Sequence, residues 1–258
     1  MLNYISQVFT KSYVIAGVEV KKLFHDPTEI ITRSIQPILW LGIFGSALSS
    51  VRAIPTQGFT YLQFITPGIL TQSVAFVAIF YGLAVLWERD MGSLQKIIVT
   101  PTPRLALVWG KMISAGIRGL IQALVVIIFA LALKVQLELT IFSIIGVIAI
   151  TILGASFFAG LSMIIAALVK TRERFMGIGQ VITLPLFFAS NAIYPIEIMP
   201  HWLQTVANLN PVSYMVNGLR ALLVTGDMSR LTLDMIVLVA ITAAISVISA
   251  YMYPKVVV

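Results

Sequence analysis

The chain contains no cysteine and very little charge. Only 10% of its 258 residues are Asp, Glu, Lys or Arg, whereas 59% are hydrophobic, and its mean hydropathy is +0.99. The absence of cysteine excludes a disulfide framework and thiolate-based metal chemistry. Soluble domains carry about 25% charged residues, and a chain with so few polar side chains cannot cover a water-facing surface. The composition therefore predicts an all-α polytopic membrane protein, because helices satisfy their own backbone groups in the lipid bilayer.

The sequence also lacks the motifs of common catalytic and nucleotide-binding sites. No Gly-x-x-x-x-Gly-Lys-Ser/Thr loop occurs, since Gly110-Lys111 has neither the upstream glycine nor the following hydroxyl that such a phosphate loop needs. There is no His-Glu-x-x-His and no Gly-x-Ser-x-Gly, and we predict that His25 and His201 lie on opposite sides of the membrane. We therefore expect no metal site, no cofactor on this chain and no enzyme activity, including ATP hydrolysis.

Long apolar runs dominate what is present. A helix needs about 20 apolar residues to cross about 30 Å of hydrocarbon. The predicted layout is one domain of residues 1–258 with six transmembrane helices, at 34–51, 61–87, 105–133, 139–169, 175–194 and 231–253. Before them, residues 1–27 carry apolar side chains at steps of three and four: Leu2, Ile5, Phe9, Tyr13, Ala16, Val20 and Leu23. That spacing predicts an N-terminal amphipathic helix in the inner interface.

Lysine and arginine are divided unevenly between the two sides of this layout. One side holds Lys11, Lys21, Lys22, Arg33, Arg89, Lys96, Arg104, Lys111, Arg118, Lys170, Arg172, Arg174 and Lys255, and the other holds Arg52, Lys134, Arg220 and Arg230. Because cytoplasmic loops carry the excess of positive charge, we expect a multi-pass protein of the cell (plasma) membrane with both termini in the cytoplasm. No nucleic-acid partner is expected, since the basic residues do not gather on a soluble face.

The most strongly charged segment lies between the second and third predicted spans, at 88–104. It carries too much charge for the hydrocarbon, and Gly92, Pro101 and Pro103 interrupt it, so it is not one long helix. Residues 93–100 are predicted to form a short helix beneath the membrane. From composition alone, an ordinary solvated loop with inside-positive charges is equally consistent with this segment.

A second segment without a full span, 195–230, is predicted on the outer side. Pro200 and Pro211 stand where they can begin two short helices, Asn210 can cap the second, and Gly226 can end it. We expect a re-entrant helical hairpin in the outer interface. It either acts as a gate or simply caps the bundle.

Neutral polar and aromatic residues in the spans are candidates for a substrate path. They are Gln72, Phe76, Phe80, Tyr81, Gln180, Thr183, Phe187 and Asn191, although for any one of them a helix-packing contact is the favoured interpretation. Ionisable residues are few within the spans. Lys111 and Arg118 lie toward the cytoplasmic end of the third, where their long side chains could extend to the headgroups. This scarcity argues against an ion- or proton-coupled transporter or channel, which stays the alternative function.

Two motifs resemble a known family. Residues 87–101 read WERDMGSLQKIIVTP and are followed by Arg104 and Gly110-Lys111, which is similar to the pattern E-R-E-x-G-T-L-E-x-L-x-x-T-P-x-x-R…G-K of ABC-2 type transport permeases. Residues 191–204 read NAIYPIEIMPHWLQ, followed by NLNPVSY at 208–214 and GLR at 218–220. They resemble the family's F-P-x-x-x-L-P-x-W-L…N-P-L-T-Y…R. Length and motif order look most like daunorubicin-resistance and nodulation-type permeases.

The resemblance implies an ATP-driven exporter for an amphipathic or lipid-like substrate, such as a drug, a lipid or a lipid-linked glycan. Its membrane subunits would form a homodimer or heterodimer and pair with two separate ABC-type ATPase subunits, which would hold the ATP and Mg. Segment 88–104 would then be the cytoplasmic coupling helix and its flanks. The implied ATPase-coupling residues are Glu88, Arg89, Asp90, Gly92, Ser93, Leu94, Ile97 and Arg104. The implied outer-hairpin residues are Pro195, Pro200, Trp202, Asn210, Pro211, Tyr214 and Arg220.

Overall fold

The computed structural model describes residues 2–25, 28–49, 56, 58–92, 102–169 and 171–256, and the regular secondary structure among them is helical, with no strand. The first helices are α1 (Leu2–His25), α2 (Thr28–Leu39), a π-helical turn (Trp40–Gly45) and α3 (Ser46–Ser49). The long helices that follow are α4 (Tyr61–Asp90), α5 (Arg104–Ala132), α6 (Ile141–Leu168) and α7 (Arg172–Phe188). A 3-10 turn (Ile196–Ile198), α8 (His201–Leu209), α9 (Pro211–Arg220), a π-helical turn (Ala221–Thr225), α10 (Leu231–Met252) and a 3-10 turn (Tyr253–Val256) complete it.

Four helices of the described part, α4, α5, α6 and α10, are long and apolar enough to cross a membrane. The prediction of an all-helical membrane protein is confirmed at that level. The other two predicted spans, 34–51 and 175–194, fall on shorter elements. The first corresponds to the helical run from α2 through α3, which a π-helical turn divides, and the second to α7, which has only 17 residues.

Helix α4 is the central element of the bundle. Its most apolar 18-residue window is 78% buried within the chain, whereas the corresponding window of α10 is only 17% buried. Fully buried Ile65, Ile69 and Ile79 of α4 belong to the main core, which α5, α6 and α9 complete. Helix α10 therefore exposes most of its surface to whatever surrounds the bundle.

Local sequence signals set several helix ends. Thr60 and Gln63 form a reciprocal capping box at the start of α4, which satisfies backbone N–H groups that a helix start leaves unpaired. Asn210 caps α9, with Pro211 in its first turn, as the sequence indicates. Gly226 follows in the left-handed region, at φ 67°, where glycine is favoured. These three signals were readable from sequence because each acts over only a few residues.

The residues of the stripe predicted for α1 fall on more than one face of the helix. Ala16 is buried in the bundle, whereas Phe9 and Tyr13 are 60% and 80% exposed. The buried face of α1 also contains polar Ser12 and Glu19, and Ser12 donates a hydrogen bond to a backbone carbonyl oxygen of α5. A count of apolar spacing does not register such partners, and the position of α1 in the membrane interface stays a prediction.

Charged side chains gather at the two ends of the bundle. At one end, which we call the charged end, Lys111 contacts Glu88 and Arg172 contacts Asp90. At the other, the hairpin end, the α4 start meets residues 190–193, and the backbone N–H of Glu138 bonds the carbonyl of Leu223. Of the larger predicted set of cations, Lys22, Lys111 and Arg172 lie at the charged end, whereas Arg220 of the smaller set lies at the hairpin end.

Candidate functional site

Two acids and two bases from three helices meet at the charged end. We call Glu19, Lys22, Glu88 and Lys111 the ion network. Lys111 Nζ lies 2.8 Å from Glu88 Oε2 and 3.7 Å from Glu19 Oε1, and Lys22 Nζ lies 3.2 Å from Glu88 Oε1 and 3.0 Å from Glu19 Oε1. Lys111 is only 3% exposed. The network is balanced in charge, which is what makes so much buried charge tolerable.

Aromatic and guanidinium groups surround the ion network. The Tyr81 hydroxyl donates to Glu19 Oε2 over 2.6 Å. The Arg118 guanidinium lies over the Tyr81 ring, 4.7 Å from its centroid, and donates to the carbonyl oxygen of Glu19. The result is a cross-link between α1, α4 and α5 in which each charged group has a defined partner.

The network also fixes the charge state of α1. Burial alone opposes ionisation of Glu19, but Lys111, the Tyr81 hydroxyl and Lys22 together outweigh it and hold the pKa of that carboxyl at about 2. Burial likewise opposes protonation of Lys22, while hydrogen bonds and charge from Glu19 and Glu88 raise its pKa above the ordinary value. Both groups therefore stay ionised across the physiological pH range.

Glu88 was expected to contact an ATPase, and the structure places its carboxylate inside the chain instead. Residues 88–90 were expected in a loop but form the last turn of α4, because Glu88 finds Lys111 and Lys22 as partners there. The two basic side chains of α5 differ from expectation in the same way. Lys111 points into the network rather than to the headgroups, and Arg118 covers Tyr81.

The neighbouring predicted coupling residues lie at the surface. Asp90 accepts two hydrogen bonds from Arg172, at 2.6 and 3.0 Å, and also bonds Arg89. The Arg172 guanidinium covers the Trp87 ring at 3.9 Å, so the ends of α4 and α7 are joined. Gly92, which follows α4, has φ 70°, a left-handed conformation that glycine adopts without strain.

The structure describes only part of the rest of segment 88–104. Ser93, Leu94 and Ile97 lie outside the described residues, so the predicted short helix at 93–100 stays a prediction. Arg104 is exposed at the first position of α5. Asp90, Arg104 and the turn at Gly92 are thus the visible parts of the surface that the sequence assigned to coupling.

Part of the predicted substrate path lines one groove between α2 and α4. The groove has a volume of about 370 Å³ and brings Thr32, Arg33 and Gln36 opposite Gln72, Phe76 and Phe80. Phe76 and Phe80 stack with their centroids 5.9 Å apart, and the Arg33 guanidinium lies 5.6 Å from the Phe80 centroid. One wall is therefore aromatic and the other polar and cationic.

The remaining predicted path residues lie elsewhere. Tyr81 belongs to the surroundings of the ion network, Gln180 is exposed on α7, and Thr183 bonds the carbonyl oxygen of Gly179 in its own helix. Phe187 is buried against Trp40, and Asn191 lies at the hairpin end, bonded to Asn217. The structure thus brings together three of the eight path residues, not all of them.

Sequence reasoning missed Arg33 because it counted that residue only among the cations of one membrane side, just before the predicted span at 34–51. In the structure the helix already begins at Thr28, so Arg33, Gln36 and Pro37 share one helix face and line the groove together. Their spacing of three and four residues was a signal available in the sequence.

The predicted hairpin residues attach the hairpin to the rest of the bundle. Asn210 donates to the carbonyl oxygens of Leu186 and Ala189 while its side-chain oxygen caps α9. Tyr214 donates to the carbonyl of Asn208, and Arg220 donates to those of Asn191 and Phe64. Pro195 precedes the 3-10 turn, Pro200 precedes α8, and Trp202 is 68% exposed. Pro211 occupies the first turn of α9.

The described residues thus form a helical bundle with membrane-spanning helices, an ion network at one end, a groove of mixed polarity and a helical hairpin attached at the other end. The family model for the ABC-2 type transporter matches residues 11–224, a range that includes both quoted motifs. This chain belongs to the ABC-2 type transporter family.

Curated relatives support that membership. The chain is 30% identical to "Putative transport permease ycf38" of Cyanophora paradoxa over 213 residues, which covers 80% of this chain and 72% of that protein. It is 25% identical to "Daunorubicin resistance ABC transporter permease protein DrrB1" of Streptomyces coeruleorubidus over 202 residues, covering 77% and 70%. It is 24% identical to "Inner membrane transport permease YadH" of Escherichia coli (strain K12) over 199 residues, covering 74% and 72%.

Proposed function

We propose that this chain is the membrane-spanning permease subunit of an ATP-driven exporter. Two permease subunits, identical or not, would work with two separate ABC-type ATPase subunits that hold the ATP and Mg. The family match over residues 11–224 carries the proposal, and the sequence has no phosphate-binding loop of its own. Relatives named transport permeases, one of them for daunorubicin resistance, support it.

The proposed arrangement in the membrane has six spans. Helix α7 and the helical run from α2 through α3 would be the two further spans beside the four longer helices. The start of α7 lies beside Asp90 and its last turn lies beside Asn210, so α7 reaches from the charged end to the hairpin end. The charged end would face the cytoplasm, since it holds the larger set of cations. Both termini would then be cytoplasmic and the hairpin would lie in the outer interface of the plasma membrane.

Coupling would occur at the charged end. The ion network holds the end of α4 against α1 and α5, so movement of the segment after Gly92 would be passed to three helices at once. In this proposal Glu88 is a positioning residue that aims the segment, while Arg89, Asp90 and Arg104 form its accessible contacts with the ATPase. Ser93, Leu94 and Ile97 would complete the contact.

The groove between α2 and α4 would receive an amphipathic substrate. Its stacked Phe76 and Phe80 offer apolar surface, and Arg33, Gln36 and Gln72 offer polar contacts within the same volume. A simple inorganic ion would use only the second set. A drug or lipid with an apolar body and a polar head uses both, and export of such a molecule from the cytoplasm is the direction proposed.

The experiment that tests this function is affinity purification of the chain from its native membranes in mild detergent. We expect an ATPase subunit to co-purify in equal number, with ATP turnover. If the chain comes down alone even after crosslinking, the exporter proposal fails and a channel or ion-coupled transporter, with Lys111 and Arg118 as its ionisable groups, takes its place.

Arg104→Glu is expected to lower ATPase association and substrate-stimulated ATP turnover at least tenfold. Its side chain is exposed at the start of α5, where a glutamate is compatible with the helix dipole, so membrane insertion should be retained. Arg174→Glu is the matched control, because Arg174 is also exposed in the first turn of a helix at the same end. If Arg174→Glu abolished ATPase association and Arg104→Glu did not, the docking surface would lie at the start of α7 and not in segment 88–104.

Phe76→Ala is expected to weaken binding of an amphipathic probe to the purified chain at least tenfold, because it removes one of the two stacked rings of the groove. Daunorubicin and a fluorescent phospholipid are suitable probes, with fluorescence anisotropy as the measurement. Phe142→Ala is the control, since Phe142 is 61% exposed on the outside of α6. If Phe76→Ala and Phe142→Ala changed the affinity of the chain for the probe equally, the groove would not be the binding site of that probe.

A further inference from the structure

The groove between α2 and α4 lies at the depth of the hydrocarbon. Helix α4 has 30 residues, with its midpoint between Ala75 and Phe76, and is therefore about 45 Å long. The hydrocarbon core is about 30 Å thick, so Gln72, Phe76 and Phe80 all fall within it when α4 crosses the bilayer. The polar side chains of the groove are therefore held where lipid tails would not solvate them.

Arg33 is the one ionisable side chain among the described residues that line this groove. It is half-buried, and its guanidinium lies 5.6 Å from the centroid of the Phe80 ring. Phe80 is about 7 Å along the axis from the midpoint of α4, well inside the hydrocarbon. Charged side chains at such depth are costly and mark substrate or ion pathways. A charge in the wall of this groove therefore indicates a role in ligand binding.

Contacts of Arg33 within the chain do not use up its capacity to bind a ligand. A guanidinium carries five N–H donors in a planar fork, and a bidentate partner accepts two of them. It also keeps its positive charge throughout the physiological pH range. The cation–π contact with Phe80 holds the group beside the aromatic wall, so its position in the groove is defined.

The surroundings of Arg33 add positive charge. Arg33 also lines a small cavity of about 10 Å³, together with Arg118 and Gln122 of α5. No carboxylate is among the described residues that line the groove or this cavity. The two acids of the neighbouring ion network are matched by its two lysines. Clefts lined by charge of one sign concentrate ligands of the opposite sign, so this region favours an anion.

The other lining residues specify the rest of the ligand. Thr32, Gln36 and Gln72 offer neutral hydroxyl and amide groups that can donate to the oxygens of an acid. The stacked rings of Phe76 and Phe80, with centroids 5.9 Å apart, offer apolar surface to a hydrophobic body. A volume of about 370 Å³ is in the range that small organic ligands occupy.

We propose that the groove selects an amphiphile with an acidic head, a carboxylate or a phosphate ester, and that Arg33 determines this preference. The inference rests on the proposed function only in taking the groove as the substrate site. It narrows the substrate from amphipathic molecules in general to anionic ones. An amphiphile with the same body and a cationic head is opposed by the charge of Arg33.

The test compares two probes that share one body. Diphenylhexatriene carrying propionic acid and diphenylhexatriene carrying trimethylammonium differ in the sign of the head. The purified full chain is placed in phosphatidylcholine nanodiscs, and energy transfer from tryptophan to each probe gives its Kd after subtraction of empty nanodiscs. We expect the acid to bind at least tenfold more tightly than the ammonium probe. Inorganic phosphate should not displace the acid, because it has no apolar body.

Substitutions of Arg33 test whether its charge sets the preference. Arg33→Gln is expected to bring the ratio of the two Kd values close to one, whereas Arg33→Lys should keep the acid as the tighter ligand. The ratio is the quantity of interest because a loss of folded protein lowers both signals together. Arg174→Gln is the matched control, since Arg174 is an exposed arginine of α7 that does not line the groove. It should leave the ratio unchanged.

Competition with lipids identifies the source of the acidic head. Displacement of the acid probe by phosphatidylglycerol would make the ligand an anionic membrane lipid. Resistance to phosphatidylglycerol would make it a smaller acidic amphiphile. Both results support an anionic ligand in the groove.

Three results would overturn the proposal. The first is an unsubstituted chain that binds both probes equally or prefers the ammonium probe. The second is a preference for the acid that Arg33→Gln leaves intact, which would place the selecting charge elsewhere. The third is displacement of the acid by inorganic phosphate alone, which would make the groove a simple anion site. None of these depends on an ATPase, so a chain that selects the acid through Arg33 but purifies without an ATPase would contradict the exporter and not this site.

Discussion

Replacing Lys111 with methionine is expected to lower the free energy of unfolding by roughly 3–5 kcal/mol, the usual cost of removing one partner of a buried ion pair. Methionine keeps the length of the side chain but leaves Glu88 without its 2.8 Å partner and Glu19 without its 3.7 Å one. Lys22 is the other base of the network, but its side chain is 54% exposed, and water weakens its share. Denaturant unfolding of the purified chain in mixed micelles, followed by tryptophan fluorescence, measures the change.

A double variant decides whether the loss comes from the network. In Lys111→Met with Glu88→Gln, the nearest unpaired carboxylate is gone, and we expect part of the lost stability to return. Lys21→Met is the matched control, since Lys21 is an exposed lysine of α1, and it should change stability by less than about 0.5 kcal/mol. A single Lys111 variant as stable as this control would show that the network contributes little.

The geometry of the ion network limits which substitutions can test coupling to an ATPase. A charge reversal at Glu88 would place a third cation beside Lys22 and Lys111, so it would disturb the packing of α1, α4 and α5 before it touched any ATPase. Arg172 is equally unsuitable as a neutral control, because its guanidinium holds Asp90. Arg104 and Arg174 are the better pair, since both are exposed.

The parts of the fold that the sequence predicts well are those set by local signals or by sustained hydrophobicity. The predicted span at 61–87 and the observed α4 begin at the same residue, where Thr60 and Gln63 form a capping box. The cap at Asn210 and the turn at Gly226 are local in the same sense. Each depends on residues within a few positions of one another, so the spacing alone specifies the geometry.

The partners of the charged side chains could not be read in this way. Glu19 on α1 meets Tyr81 on α4 and Lys111 on α5, and their sequence positions give no sign of this contact. From the sequence alone, a polar residue among apolar ones is therefore predicted to be exposed, because its buried partner is not known. The candidate site is affected most, because Glu88 was assigned by charge and motif while its position depends on packing between helices.

The second large effect is expected at Gly68, where α4 passes the segment that joins α7 to the hairpin. A Cβ added there would lie 2.2 Å from the carbonyl oxygen of Ala192 and 2.8 Å from its Cα. These are backbone atoms, and they cannot swing aside as a flexible side chain does. Gly68→Ala should therefore destabilise the chain by about 1–3 kcal/mol, as overpacking typically does, measured by the same denaturant unfolding.

Gly177→Ala is the matched control for Gly68→Ala, and its expected effect on stability is zero or of the opposite sign. Gly177 is also a helical glycine, but beyond its chain neighbours and the backbone of its own helix no atom of the described residues lies within 4 Å of the position that its Cβ would take. Alanine is the better helix former by about 1 kcal/mol, so Gly177→Ala should leave stability unchanged or raise it. Because Ala192 is adjacent to Asn191, whose carbonyl holds Arg220, Gly68→Ala should also make the hairpin more accessible to proteolysis. If both alanine variants were equally stable and equally resistant, α4 and the hairpin would not be held together at this contact, and the hydrogen bonds of Asn210 and Arg220 would have to position the hairpin.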